Sequence, residues 1–375
     1  MVFKFSKNFS SDNLKNKRCI IKKDTFLNKI VFVNGFSASG KTMLSPIISS
    51  INNAESTIYP YEVEWVAGLL YAEQLSQHGF KEFLKMYCDH SIYNQMMSRN
   101  TNFRINDVSS VSNKKDFFKY FFRLFQRGDN FIPDDIKKKK PISCFTTSHL
   151  IFFVNEIFQA LENRCMFIET VRDPIYMYLQ IKILFEEVYK NNPKKLFSFM
   201  AKSKGGESLF FDFFSKENAF TDLKKEKNID TICVNYLERI FDFYFNFNFK
   251  NIITYKSRFI LLPFEKFVTE PDVWLKSILS FLGQKKTKKL LDELKKQHVP
   301  RKLLTEGYKR KVYERYGNVT ASQIQTKKLS YQDADLVYID RIKEAFKDNA
   351  KDFNRLLNIS NKYRRWIKNS SQFIF

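Results

Sequence analysis

The stretch Ile30-Val31-Phe32-Val33, followed by Gly35-Phe36-Ser37-Ala38-Ser39-Gly40-Lys41-Thr42, decides the fold. Its first four residues are β-branched or aromatic throughout, as a strand buried on both faces of a parallel sheet requires. The next eight match the phosphate-loop pattern G-x-x-x-x-G-K-[ST], and Met43 to Ile51 continue with spacing that predicts a helix. In that setting the glycines let the backbone curl around an anion, the N–H groups and the helix N-terminus point inward, and Lys41 adds a mobile positive charge. The reading is a phosphate grip made by Ser37, Ala38, Ser39, Gly40, Lys41 and Thr42. Which nucleotide it holds, and for what chemistry, the loop alone leaves open.

Further strands are expected at Ile142–Thr146, Cys165–Val171 and Arg258–Pro263, with helices between them: Val63 to Leu75, Phe80 to Met97, Leu150 to Leu161, one opened by Pro174, and Pro271 to Leu282 closed by Gly283. Strands alternating with helices at this spacing predict βαβ units and a mainly parallel sheet. The expected fold is therefore α/β, a P-loop NTPase-like three-layer arrangement with helical insertions. Residues 1–283 form the main domain, with a helical insertion at about 190–250, and residues 284–375 form a basic, mostly helical extension capping it. Phe117, Phe118, Phe121, Phe122 and Phe125 make a stripe at helical spacing that reads as core.

The chain has 375 residues, 44% apolar and 17% aromatic, which is enough for a sizeable core and argues against disorder. Its 63 Lys and Arg outnumber 40 Asp and Glu, for a formal charge of +23. Such a charge can mark nucleic acid, an acidic polymer or a membrane surface as partner. Lysine is also spread along the whole chain beside abundant Phe, Asn and Ile, a bias that A+T-rich coding produces unaided, and both readings stay open. No arginine-aromatic signature of RNA binding occurs, so nucleic acid is not the expected partner. Cys19, Cys88, Cys144, Cys165 and Cys233 stand singly, without zinc-ligand spacing, and read as free thiols of a reducing compartment. With no run of about 18 apolar residues, the expectation is a soluble, cytoplasmic protein without a transmembrane segment. The oligomeric state is left open.

Three further elements resemble the sulfotransferases that use 3′-phosphoadenosine-5′-phosphosulfate (PAPS), in that family's order. Thr147-Ser148-His149-Leu150 is similar to its K-T-H-L element, and Val171-Arg172-Asp173-Pro174 to its R-[DN]-P element, 23 residues on from the histidine. Leu262-Pro263-Phe264-Glu265, Glu270-Pro271 and Phe281-Leu282-Gly283 resemble Y-E-D-L, D-P and F-L-G. The resemblance implies PAPS as donor, His149 as general base, and Arg172 as a ligand of the donor's 3′-phosphate. Eight positions on, where the family has serine, stands Gln180. The loop departs as well: the family's basic residue falls at Ala38, and the charge has moved to Lys41.

What the resemblance implies is sulfuryl transfer from PAPS to a hydroxyl of a glycan, lipid or small alcohol, with Lys41 and Thr42 offsetting charge on the leaving oxygen and no metal required. Arg301 and Lys302 stand where the family's late basic motif would close over the donor. Two rivals remain. Lys41-Thr42 also fits an ATP- and magnesium-dependent kinase, which would draw its metal-holding carboxylate from Asp173 or Glu169. Ala38 and Gln180 keep open a non-catalytic binder of nucleotides or other anions.

Overall fold

The computed structural model describes residues 20–23, 26–105, 110–113, 116–126, 128–186, 201–203, 206–208, 228–247, 258–302, 304, 339–340 and 342–369. Its centre is a four-stranded sheet built from β1 (Ile30–Asn34), β2 (Ser143–Thr146), β3 (Cys165–Val171) and β6 (Phe259–Pro263), in the order β2-β1-β3-β6. Every pairing is parallel, with Val31 opposite Cys144 and Met166, and Ile168 opposite Ile260. All four strands are buried along their whole length, which explains why each reads as a nearly unbroken apolar run. One row of the register is entirely phenylalanine. Phe145, Phe32, Phe167 and Phe259 stand side by side across the sheet with ring centroids 5.3, 6.1 and 6.0 Å apart.

Helices cover the sheet as the α/β expectation requires. They include Lys41–Ser49 after β1, Tyr61–Tyr71, the twenty-residue Gln77–Met96, Val154–Leu161 between β2 and β3, and Pro174–Phe185 after β3. Pro174 occupies the first turn and Asp173 caps it, accepting the Ile175 N–H at 3.1 Å. Gly283 ends Pro271–Leu282 with φ +63°, a left-handed position that glycine takes without a side-chain clash. Residues 54–58 add a broken edge beside β2, where the Ile58 N–H reaches the Cys144 carbonyl at 3.0 Å and the Thr146 N–H returns to Ile58 at 2.9 Å.

Two expectations need correction. The segment 190–250 was expected to be helical, yet within it β4 (Ala201–Ser203) and β5 (Gly206–Ser208) pair antiparallel, and only Ile229–Asn246 is a described helix; most of the rest lies outside the described residues. The phenylalanine stripe is not core. Helix Phe117–Arg123 buries the opposite side, through Tyr120 and Arg123, and leaves Phe118, Phe121, Phe122 and Phe125 exposed.

An ion pair decides that orientation. Arg123 donates from Nη1 and Nη2 to Glu55 at 2.8 and 2.9 Å, and Lys119 adds a third bond at 2.9 Å. Burial opposes the Glu55 charge, but the bonds and charges of Arg123 and Lys119 hold its pKa down at about 2. A buried carboxylate left without its fork is costly, so Arg123→Met is expected to destabilise the fold by about 3–5 kcal/mol in denaturant unfolding. Pairing it with Glu55→Gln should recover part of that loss. Because the folded pKa is depressed, the Glu55 contribution is present above about 4.5 and is lost as pH falls toward 2.

The last helix, Ala350–Asn369, belongs to the same core as the sheet. Tyr363 meets Phe241 edge-on at 5.5 Å and Trp366 stacks on Tyr244 at 6.2 Å. Residues 305–338, the middle of the C-terminal extension, lie outside the described residues, as do 1–19 and with them Cys19; the other four cysteines are buried and form no disulfide. Among the described residues no helix is long and apolar enough to cross a membrane.

Candidate active site

The four parallel strands end at one edge of the sheet, and the turns that follow them carry the site, as the carboxyl ends of strands do in open α/β sheets. Strand β1 passes into the phosphate loop, β2 into Thr147-Ser148-His149, β3 into Arg172-Asp173, and β6 into Phe264-Glu265. Asn34, the last residue of β1, ties the turn after β2 to strand β3. Its Oδ1 accepts the Thr147 hydroxyl at 2.9 Å and the Leu150 N–H at 3.1 Å, and its Nδ2 donates to Glu169 at 2.6 Å.

The loop itself bends through positive φ at Gly35 (+151°), Ala38 (+67°) and Gly40 (+106°). Side chains are excluded at both glycines: a Cβ on Gly35 would lie 2.4 Å from Thr170 Oγ1, and one on Gly40 would lie 2.3 Å from the Phe264 ring. Ala38 tolerates its left-handed φ, with its carbonyl accepting Arg172 Nη1 at 3.3 Å. Ser39 is buried, its hydroxyl paired with Thr170 Oγ1 at 2.7 Å and its N–H directed to the Phe36 carbonyl at 3.3 Å. Gly40 offers no side-chain cap to helix Lys41–Ser49, while Ser37 is half-buried and Thr42 is exposed. The helix N-terminus thus faces outward with its orphan amides available to an anion.

Lys41 is half-buried and bends back toward the turn after β2. Its ammonium donates to the Gly35 carbonyl at 2.5 Å and to the Ser148 hydroxyl. Burial pushes its pKa down to about 8, against the pull of Glu64 and Glu169. Those two carboxyls are pushed up by burial to about 7 each, against the cation. Glu64 accepts the Ser148 N–H, while Glu169 accepts from Asn34 and from the Tyr244 hydroxyl at 2.5 Å. His149 adjoins this group at φ +61°, its ring edge-on to Phe36 at 5.2 Å. Burial and the Lys41 charge push its pKa down to about 3, which favours the neutral imidazole in the ligand-free protein.

Arg172 is buried and lies over the Phe264 ring at 4.5 Å. Arg301, also buried, lies over the same ring at 5.3 Å and is held by the carbonyls of His298 and Leu304 at 3.1 Å each. Since Phe264 also closes on Gly40, one ring joins the phosphate loop to two guanidinium groups. Glu265 braces the turn from below, accepting the Asp173 N–H at 2.9 Å and the Tyr363 hydroxyl at 2.8 Å. Asp173 accepts Ser360 at 2.6 Å and Arg364 at 2.7 Å, so the last helix fastens directly onto the R-D-P turn.

Of the residues singled out in the sequence, Ala38 meets Arg172 through its carbonyl, while Lys41 turns to Gly35 and Ser148, next to His149. Gln180 is half-buried on helix Pro174–Phe185, six residues and about 9 Å along the axis from Pro174. Asn34, Glu64, Tyr244 and Phe264 were missed as site residues, and Glu169 was considered only as a kinase's metal-holding carboxylate. Only Asn34 carried a local signal, as an amide at the end of an otherwise apolar run.

No family model and no curated protein sequence matches the chain. Three sulfotransferases are among the solved structures similar to it. The sulfotransferase domain of the Synechococcus PCC 7002 olefin synthase aligns with 87% of this chain and 98% of its own length at 12% identity and a TM-score of 0.34. A Mycobacterium tuberculosis H37Rv sulfotransferase aligns over 72% of each chain at 10% identity and a TM-score of 0.30. The sulfotransferase domain of the curacin biosynthetic pathway aligns over 71% of this chain and 77% of its own, at 11% identity and a TM-score of 0.29.

Proposed function

We propose that this protein transfers a sulfuryl group from PAPS to an acceptor hydroxyl. The observation that supports this reading best is the pairing of Arg172 and Arg301 on Phe264, beside the phosphate loop. A nucleoside triphosphate carries its anionic charge in one chain, whereas PAPS carries it in two places, the 5′-phosphosulfate and the 3′-phosphate. In this reading the amides of Gly40, Lys41 and Thr42 take the 5′-phosphosulfate, and Arg172 with Arg301 takes the 3′-phosphate. Lys41 uses two of its three donors within the protein, leaving one for the oxygen on which charge grows as the S–O bond breaks. The acceptor hydroxyl attacks sulfur in line, and its proton passes to a base.

With Glu169 held by Asn34 and Tyr244, two groups near Lys41 remain for that proton. His149 is neutral, which suits a base, but a pKa of about 3 makes it a weak one until an anionic donor raises it. Glu64 titrates at about 7 and is the stronger acceptor. With His149 as base, His149→Ala lowers kcat about 10²–10⁴-fold with donor binding retained, and Glu64→Gln leaves most activity. With Glu64 as base, the losses exchange, and the acid limb of the pH profile near 7 disappears in Glu64→Gln.

The kinase rival wanted a metal-holding carboxylate from Asp173 or Glu169. Asp173 is committed to Ile175, Ser360 and Arg364, and Glu169 to Asn34 and Tyr244, which favours the metal-independent reading. Calorimetry tests it with adenosine 3′,5′-bisphosphate, the spent donor, against ATP with magnesium. The expected result is metal-independent binding of the bisphosphate, weakened about 10–100-fold in Arg172→Ala, as for a lost charge-assisted bond. Binding of ATP only, and only with magnesium, would sink the proposal.

A further inference from the structure

The exposed phenylalanine face plays no part in the site. Helix Phe117–Arg123 is turned inside out relative to an ordinary surface helix: its charged Arg123 and its Tyr120 point into the protein, and its rings point away from it. Phe118 is 65% exposed, Phe122 62% and Phe125 74%, with Phe121 and Leu124 also exposed. The rings pack on one another instead of on the core, with centroids 6.2 Å apart for Phe118 and Phe122 and 5.5 Å for Phe121 and Phe125. The chain then turns through exposed Phe131 into helix Ile132–Lys139, whose last turn and end carry the exposed run Lys137-Lys138-Lys139-Lys140. Isolated exposed hydrophobics are ordinary, but a contiguous aromatic cluster is not.

We propose that this face is a docking surface for an anionic lipid bilayer. Charge complementarity selects that partner. Among the described residues of Phe117 to Lys140, Lys137, Lys138, Lys139 and Lys140 are exposed, against exposed Asp129 and Asp134, within a chain of net charge +23. Described lysines at the far end of the pair of short helices supply an electrostatic attraction to acidic headgroups, and the rings supply area that can enter the interface between headgroups and acyl chains. Helix Phe117–Arg123 is only seven residues long, so it lies on a bilayer rather than crossing it. The Glu55–Arg123 bridge holds the rings outward before any membrane is met, so little ordering is needed on contact.

The test is vesicle co-sedimentation with the full-length protein. Expected is binding to mixed phosphatidylcholine/phosphatidylserine vesicles that is reduced ~10-fold with phosphatidylcholine alone and ~10-fold in the triple variant Phe118→Ser, Phe122→Ser, Phe125→Ser. All three rings are exposed, so the variant should keep the wild-type thermal midpoint. As a second arm, Lys137→Glu with Lys138→Glu should weaken binding only to the phosphatidylserine vesicles. Absence of binding, or equal binding by wild type and triple variant, would overturn the proposal. So would light scattering that shows a wild-type dimer split by the triple variant, which would make the face a self-interface, or an affinity for single-stranded oligonucleotide that exceeds that for vesicles and is lost in the same variant.

Discussion

On the proposed sulfuryl transfer, Lys41→Met is expected to lower kcat about 10²–10³-fold while the protein stays folded, the loss that follows when one preorganised donor to a developing anion is removed. The side chain supports this expectation because its ammonium is already held over the loop by the Gly35 carbonyl and Ser148, so no reorganisation is required at the moment of bond breaking. A pH profile checks the charge. With its pKa pushed down to about 8 by burial, the ammonium of the free protein is lost as pH rises through 8, and kcat/KM should fall on that limb. Bound donor supplies negative charge that favours the protonated form, so the same limb in kcat should lie at higher pH. Arginine at this position keeps the charge but not the compact point donor, and should not restore full activity. If Lys41→Met retained wild-type kcat with the basic limb in place, Lys41 would not be the cation that meets the leaving oxygen.

Gly40→Ala carries the second large effect. Its φ of +106° lies outside the regions open to alanine, and the new Cβ would fall 2.3 Å from a carbon of the Phe264 ring. Relief requires the ring to move, and Arg172 and Arg301 both rest on it. A loss of about 3–5 kcal/mol in denaturant unfolding is expected from backbone strain and overpacking together. Binding of adenosine 3′,5′-bisphosphate should vanish with it, because the loop amides and the arginines are displaced at once. A Gly40→Ala protein that bound the bisphosphate as wild type does would show that the loop is not the phosphate grip. Thr42→Ala, at an exposed position of the same helix, is the control that should leave stability within about 0.5 kcal/mol.

The sheet was legible because its strands are short, continuous and buried on both faces, so composition alone marks them. Ile142–Thr146, Cys165–Val171 and Arg258–Pro263 were each read within a residue of the observed β2, β3 and β6. Helix ends were legible where a residue has one physical reason to be there, as at Pro174 and Gly283. The phenylalanine stripe was read correctly as helical and assigned to the wrong side. Periodicity reports which residues share a face, but whether that face turns inward depends on the partner it meets, and here a buried Glu55 more than sixty residues away claimed Arg123 for the interior.

The candidate site divides in the same way. Local sequence determined the phosphate loop, since the glycines at 35 and 40 and the lysine at 41 follow a fixed short spacing whose geometry is set by the backbone. It also located the turns at His149 and Arg172, each just beyond a readable strand. Only the tertiary structure decided that Phe264 would seat Arg172 and Arg301 together, that Glu64 would reach Ser148, and that Ser360, Tyr363 and Arg364 would brace Asp173 and Glu265 from the far end of the chain. Those contacts join residues from 37 to 191 positions apart. Their energies come from burial and charge pairing that exist only once the strands have been brought side by side, so no local pattern records them.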